Sequence, residues 1–268
     1  LHQTFDDSNK YDPSLRRESN LEFDFSIGNT VEFWMNKNGG FLNITAREVI
    51  FDLTNGGSYP TDAGRLTIEL DPNQSPSPFL VSFESGSTTF SSNFGTNITV
   101  VTNPSTSQKE LSNAGEWHHY TFRFKHNSEG SNTVVDFFYD GSLTETYSSA
   151  SVIERVTGSL KANLGALVAA TTAVPTAAIG YGQFSGSLDE FRYWKYARPA
   201  DLVKLNYFKG IDGGTNTDDE SYQLGVYYKF NEGITQTASV DSIVLDYSGR
   251  ISNGTWAGYN TLSRHTGS

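Results

Sequence analysis

Short runs in which apolar and polar side chains alternate with period two recur along the chain, separated by clusters of Gly, Asn, Ser and Pro. About ten such runs, rich in aromatic and β-branched residues, predict strands of an all-β sandwich rather than helices. The clearest are Thr30–Met35, Glu48–Leu53, Arg65–Leu70, Pro78–Glu84, Asn97–Thr102, Trp117–Phe124, Thr133–Tyr139 and Ser187–Trp194. In Thr133–Tyr139 both faces carry apolar residues: Val135, Phe137 and Tyr139 on one, Val134 and Phe138 beside Asp136 on the other. Such a strand is expected to be covered on both sides. Asp140-Gly141 follows it directly, and both residues tolerate the positive φ of a tight hairpin turn, so Ser142–Tyr147 is the expected return strand.

One segment reads as helix. Pro199 suits a first turn, Leu202 and Leu205 with Tyr207 or Phe208 supply an apolar stripe, and Gly210 can end it. From Ile211 to Glu220 the texture turns polar and aperiodic before strand character resumes at Leu224–Phe230. The expected organisation is therefore a sandwich over residues 1–210 and, over 211–268, a C-terminal β-rich extension or a link to a following module.

Three separated motifs sharpen the fold. Glu116-Trp117-His118-His119-Tyr120, continued by Phe138-Tyr139-Asp140-Gly141, resembles the Trp-His-His and Asp-Gly signature of laminin-G-like domains. Upstream, Thr30-Val31-Glu32-Phe33-Trp34-Met35 resembles that family's early core strand. Downstream, Phe184-Ser185-Gly186-Ser187-Leu188-Asp189-Glu190-Phe191-Arg192 resembles its Gly-x-x-Asp-Glu-x-Arg strand. The resemblance covers roughly residues 20 to 210 in the family's order. It implies a two-sheet antiparallel jelly-roll sandwich of the concanavalin-A-like kind with one short helix. The tail, Val226–Gly233 with Leu245–Gly249 and Asn253–Trp256, resembles strands that open such domains. It either closes the same sandwich in permuted order or begins a link to another repeat; the link is preferred. The run Gly213–Asp218 joined to Leu224–Phe230 is similar to large virion structural proteins of tailed marine bacteriophages. That likeness implies a virion or extracellular location, with other virion or surface proteins as partners in a homo- or hetero-oligomeric assembly.

Charge removes some partners. With 19 Lys and Arg against 30 Asp and Glu the formal net charge is −11, which repels phosphate backbones and anionic headgroups, so neither nucleic acid nor a membrane surface is expected as a partner. No stretch reaches the roughly 20 apolar residues of a membrane-spanning helix. The absence of Cys excludes disulfides and thiolate metal sites. The chain starts at Leu1 without an initiator Met, and is expected to be a piece of something longer.

Candidate chemistry is sparse. The superfamily contains glycoside hydrolases with a Glu-x-Asp-x-x-Glu strand; Glu69-Leu70-Asp71 keeps two acids, but Gln74 stands in the third position and Pro72 interrupts the strand. A degenerate hydrolase is thus the third reading, and no enzyme activity is expected. Adjacent strand residues diverge, so Asp189 and Glu190 read as structural hydrogen-bonding groups, and His118 and His119 as satisfied sandwich histidines rather than ligands. No cofactor is required; calcium is the one ion considered, with Asp212, Asn216, Asp218 and Asp219 as the metal candidates. Asn55, Tyr59, Asp62 and Arg65 form a candidate glycan-binding rim, the basis of the alternative reading as a carbohydrate-binding adhesin. Phe90 and Phe94 sit in a Ser/Thr-rich stretch, as anchors for a partner subunit or as rings packed under a loop.

Overall fold

The computed structural model describes residues 2–3, 20–37, 47–58, 60–105, 107–168, 182–211, 223–232, 243–249 and 252–255. In chain order its strands are β1 (His2–Gln3), β2 (Asn29–Asn36), β3 (Glu48–Thr54), β4 (Gly64–Leu70), β5 (Phe79–Ser85) and β6 (Thr88–Phe94), followed by β7 (Val100–Thr102) and β8 (Lys109–Leu111). Then come β9 (His118–His126), β10 (Thr133–Tyr139), β11 (Ser142–Ser149), β12 (Leu160–Leu164) and β13 (Ser187–Trp194). Helix α1 (Ala200–Asn206) precedes β14 (Leu224–Tyr228), β15 (Ile243–Val244) and β16 (Gly254–Thr255).

Two six-stranded antiparallel sheets carry the fold, in the orders β1-β12-β3-β4-β5-β6 and β11-β10-β9-β2-β13-β14. Their inner faces meet in an aromatic core. Phe79 of the first sheet lies 5.0 Å from Tyr120 and 5.6 Å from Phe137 of the second. Phe83 lies 5.2 Å from Phe124, and Phe51 lies 5.3 Å from Phe191. Alternation places these rings inward because each strand exposes its odd and even residues to opposite faces. Among the described residues, the expected jelly-roll sandwich with one short helix is what forms.

The Asp140-Gly141 turn joins β10 to β11 with positive φ at both residues, 47° and 73°, as a two-residue hairpin requires. A Cβ on Gly141 would meet the Tyr207 ring at 2.4 Å, so this glycine also lets the segment after α1 settle on the hairpin.

Several expectations are corrected. Phe90 and Phe94 are not in a loop: they belong to β6 and are buried in the core, because β5 supplies a pairing partner across the Gly86 turn. β12 is an unexpected strand whose Leu160 and Ala162 face inward. Of the strand expected over Asn97–Thr102, only Val100–Thr102 pairs. Helix α1 stops at Asn206, and its buried residue is Val203, while Leu205 is exposed. Of the expected stripe, Tyr207 just past the helix packs on Trp34, while the helix itself turns Val203 rather than Leu205 to the sheet. Separately, residues 224–228 pair antiparallel with β13 as the sixth strand of the second sheet.

Candidate functional site

The outer faces of the two sheets differ in kind. On the second sheet the outward positions carry charges that are spent on one another beneath α1 and the segment following it. Arg123 donates through Nε and Nη2 to Asp136 Oδ2 at 2.9 and 2.6 Å, and through Nη1 to the Arg198 carbonyl at 2.8 Å. Arg198 donates to Glu32 Oε1 at 2.9 Å with both side chains fully buried, and its guanidinium stacks 4.1 Å from the Trp194 ring centroid. Arg192 Nη2 donates to Glu190 Oε2 at 2.7 Å and to the Lys209 carbonyl at 2.6 Å. Burial opposes the charge of Glu32, yet the neighbouring Arg198, with His119 and Arg192, holds its carboxyl below the usual range.

The signature residues serve this face and the turns at its ends. Trp34, half-buried, donates its indole N–H to the Tyr207 carbonyl at 3.2 Å. His119 is buried between Trp34 and Tyr207, 5.5 and 5.7 Å from their rings, and burial pushes its pKa down to about 4, so it stays neutral. His118 points the other way, bonded to Asp140 Oδ2 at 2.8 Å, while Asp140 Oδ1 accepts the His119 N–H at 2.9 Å. Glu190, at φ 50° beside a bulge, accepts from Arg192 and from the Tyr227 hydroxyl. Asp189 Oδ1 accepts the Glu190 N–H at 2.9 Å. A Cβ on Gly186 would meet the Phe184 ring at 2.6 Å. Trp117 departs from the pattern: it is 45% exposed at the end of β9.

On the first sheet the outward face is polar and partly open. Core-facing Leu66, Ile68, Val81 and Phe83 leave Arg65, Thr67, Ser82 and Glu84 on the other side of β4 and β5. Asp52 and Thr54 of β3 and Lys161 and Asn163 of β12 continue the row in register. Its floor is the Arg65–Asp52 pair, with Nε 2.9 Å from Oδ1 and Nη2 2.7 Å from Oδ2. The Val168 N–H adds 2.6 Å to Asp52 Oδ2. Burial raises the Asp52 carboxyl against the pull of Arg65 and that N–H. Burial likewise raises Glu69, whose carboxylate shares Arg47 with Asp71, at 3.6 and 3.2 Å. Ser82, Glu84 and Asn163 are half-exposed and Lys161 is exposed. The row thus offers donors and acceptors fixed by strands at strand spacing.

The expected rim constellation is only partly gathered here. Arg65 lies on the polar face, and Tyr59 lies outside the described residues. Asn55 works within its own loop: Oδ1 accepts from Gly57 and Gly64, and Nδ2 donates to the Asp62 and Thr157 carbonyls. Asp62 Oδ1 accepts the Ser58 N–H at 2.8 Å. The metal candidates Asp212, Asn216, Asp218 and Asp219 lie outside the described residues, among which no group of three or more His, Asp or Glu is placed to hold a metal ion. Glu69 and Asp71 converge on Arg47, and Gln74 is exposed in the following turn. Sequence reasoning missed Asp52, Glu84 and Asn163; the polar member of each alternating pair was the available signal.

These features define a two-sheet antiparallel jelly-roll sandwich of the concanavalin-A-like kind. No family model matches the chain, and no curated protein matches its sequence. Among solved structures, one similar to it is a protein from Bacteroides ovatus assigned as carbohydrate binding, with a TM-score of 0.50 and 18% identity. That match covers 87% of this chain and 52% of the other, so the chain spans about half of its length. The CBM40 domain of a Ruminococcus gnavus IT-sialidase gives 0.40 and 11%, covering 72% of this chain and 95% of that one. Domains LG4-5 of the mouse laminin alpha1 chain give 0.39 and 12%, covering 69% and 42%. At these identities the likeness is one of fold.

Proposed function

We propose that this chain is a non-catalytic, extracellular carbohydrate-binding module that takes its ligand on the outward face of β3, β4, β5 and β12. The observation that carries the reading is the contrast between the two outer faces. One is sealed, its charges paired under α1; the other presents half-exposed Ser82, Glu84 and Asn163 and exposed Lys161 beside Thr67 and the Arg65–Asp52 pair, which are buried. Rows of fixed donors and acceptors suit a polyhydroxylated ligand, because each hydroxyl both donates and accepts and the strands have already lost the freedom that binding would cost. A net charge of −11 favours neutral or amino sugars over anionic ones. The carbohydrate binding assigned to the structural relative agrees with this reading.

The test is thermal unfolding of the chain against a panel of neutral, amino and acidic oligosaccharides, each with calcium and with a chelator. A ligand that binds only the folded state raises the midpoint. A neutral or amino sugar should raise it in the wild type and not in Glu84→Ala; no shift with any sugar would discard the reading. A shift that vanishes with chelator would bring calcium into the site.

Residence on a phage particle, as a capsid decoration, tail appendage or fibre, is the second reading. It rests on the sequence likeness of residues 213–230 and implies an assembly role, for which one sheet edge supplies a specific observation.

A further inference from the structure

We propose that β6 is a self-complementary edge through which two copies of this chain join their first sheets, antiparallel and centred on Ser91. A sheet edge presents unpaired N–H and C=O groups, and proteins that stay single blunt it with charge, proline, a bulge, short length or a covering segment.

Three of the four edges here are blunted. β1 has two residues. β14 is covered: Tyr228 bridges Asp246, Tyr247 N donates to the Tyr227 carbonyl at 2.8 Å, and Asp246 Oδ1 accepts the Tyr227 N–H at 2.9 Å. The β10–β11 pairing is bulged between Phe137 and Phe138, and β11 carries Glu145 near its middle.

β6 has none of these devices. Its seven residues, Thr-Thr-Phe-Ser-Ser-Asn-Phe, pair with β5 without a register shift, and among the described residues no strand lies on its other side. The turn at Gly86-Ser87 makes Ser85 and Thr88 a hydrogen-bonded closing pair. By alternation Thr89, Ser91 and Asn93 then turn their backbone groups away from β5. Thr89 and Ser91 are exposed.

A second copy is the occupant that this edge fits. About a two-fold axis at Ser91, Ser91 faces its own counterpart and Thr89 faces Asn93, so every outward backbone group of one copy meets one of the other. Charge points the same way. The chain carries −11, yet there is no Asp, Glu, Lys, Arg or His from Ser85 to Gln108. Along β6 itself two copies can therefore approach without opposing like charges, the nearest carboxylate being Glu145, which accepts the Gly95 and Thr96 N–H groups just past the strand end.

Sedimentation equilibrium over a concentration series tests the proposal. The wild type should weigh twice the chain mass at the upper concentrations and dissociate on dilution. Ser91→Pro removes the central N–H, and Ser91→Lys sets two ammonium groups face to face; each should be monomeric with its folding midpoint retained. The chain has no cysteine, so Ser91→Cys gives a clean report: the paired Cα atoms would lie about 5.5 Å apart, and mild oxidation should yield a linked dimer that Leu205→Cys does not. A monomeric wild type, or a dimer that survives both Ser91→Pro and Ser91→Lys, overturns the proposal. A strand from another protein that pairs with β6 while the wild type stays monomeric overturns it as well.

Discussion

Arg65 grips Asp52 with two nitrogens on two oxygens, 2.9 and 2.7 Å, on the outward face of a sheet whose inward face is largely apolar. The pair joins adjacent strands and is nearly inaccessible, with side chains 6% and 0% exposed. A buried ion pair is not in itself a large source of stability, but breaking one leaves a charge where water cannot reach it. Asp52→Ala should therefore cost about 3–5 kcal/mol, read from urea unfolding. A loss below 1 kcal/mol, on the order of an exposed pair, would show that the site is wet.

His119 gives the fold an acid limit. Its pKa falls from the ordinary 6.5 to about 4 because burial disfavours the imidazolium, with Glu32 and Asp140 pulling upward and Arg192 and Arg198 downward. The unfolded chain then binds more protons than the folded one between those values, so stability is full above pH 6.5 and falls as pH drops toward 4. The loss attributable to this residue is roughly 3 kcal/mol across that window. His119→Phe should flatten this part of the stability profile; an unchanged slope would assign it to other groups.

Gly141 is held at φ 73° with the Tyr207 ring where a Cβ would stand. Gly141→Ala should destabilise by about 2–4 kcal/mol, from left-handed backbone strain and overpacking together. Calorimetry of the variant checks this, and a midpoint within a degree of wild type would contradict it.

Helix α1 is attached through one residue. Val203 is fully buried and Leu205 is 54% exposed, so Val203→Ala should cost about 2 kcal/mol and Leu205→Ala under about 0.5 kcal/mol. Equal losses in paired denaturation curves would mean that the helix turns its other side to the sheet.

Most of the sandwich was legible before folding, since β2 to β5, β9, β10 and β13 announce themselves by alternation and aromatic content, and the β10–β11 hairpin by Asp140-Gly141. β6 and β12 were not, although Phe90 and Phe94 and the Leu-x-Ala-x-Leu of β12 keep the correct period. Ser, Asn, Lys and Ala have low preference for strands, and pairing with β5 and β3 overrode it. The candidate site shows the same division. Arg65 was recognisable as a polar group beside a loop. Its partner Asp52, 13 residues away, and the neighbouring Glu84 were not, because register decides which polar residues share a face.

The sequence by itself determined the all-β class, the inward set of aromatic residues and the tight hairpin, since period-two alternation and the positive φ of Asp-Gly are local properties of the chain. Only the tertiary structure decided that the charges of Glu32, Arg192 and Arg198 would be sealed together, that Ser82, Glu84 and Asn163 would stay half-exposed beside the buried Arg65–Asp52 pair, and that, among the described residues, no strand would lie on the outer side of β6. Those outcomes depend on which strands become neighbours and which segments cross them, and contacts between residues 166 positions apart, as in Arg198 and Glu32, are fixed only when the two sheets close.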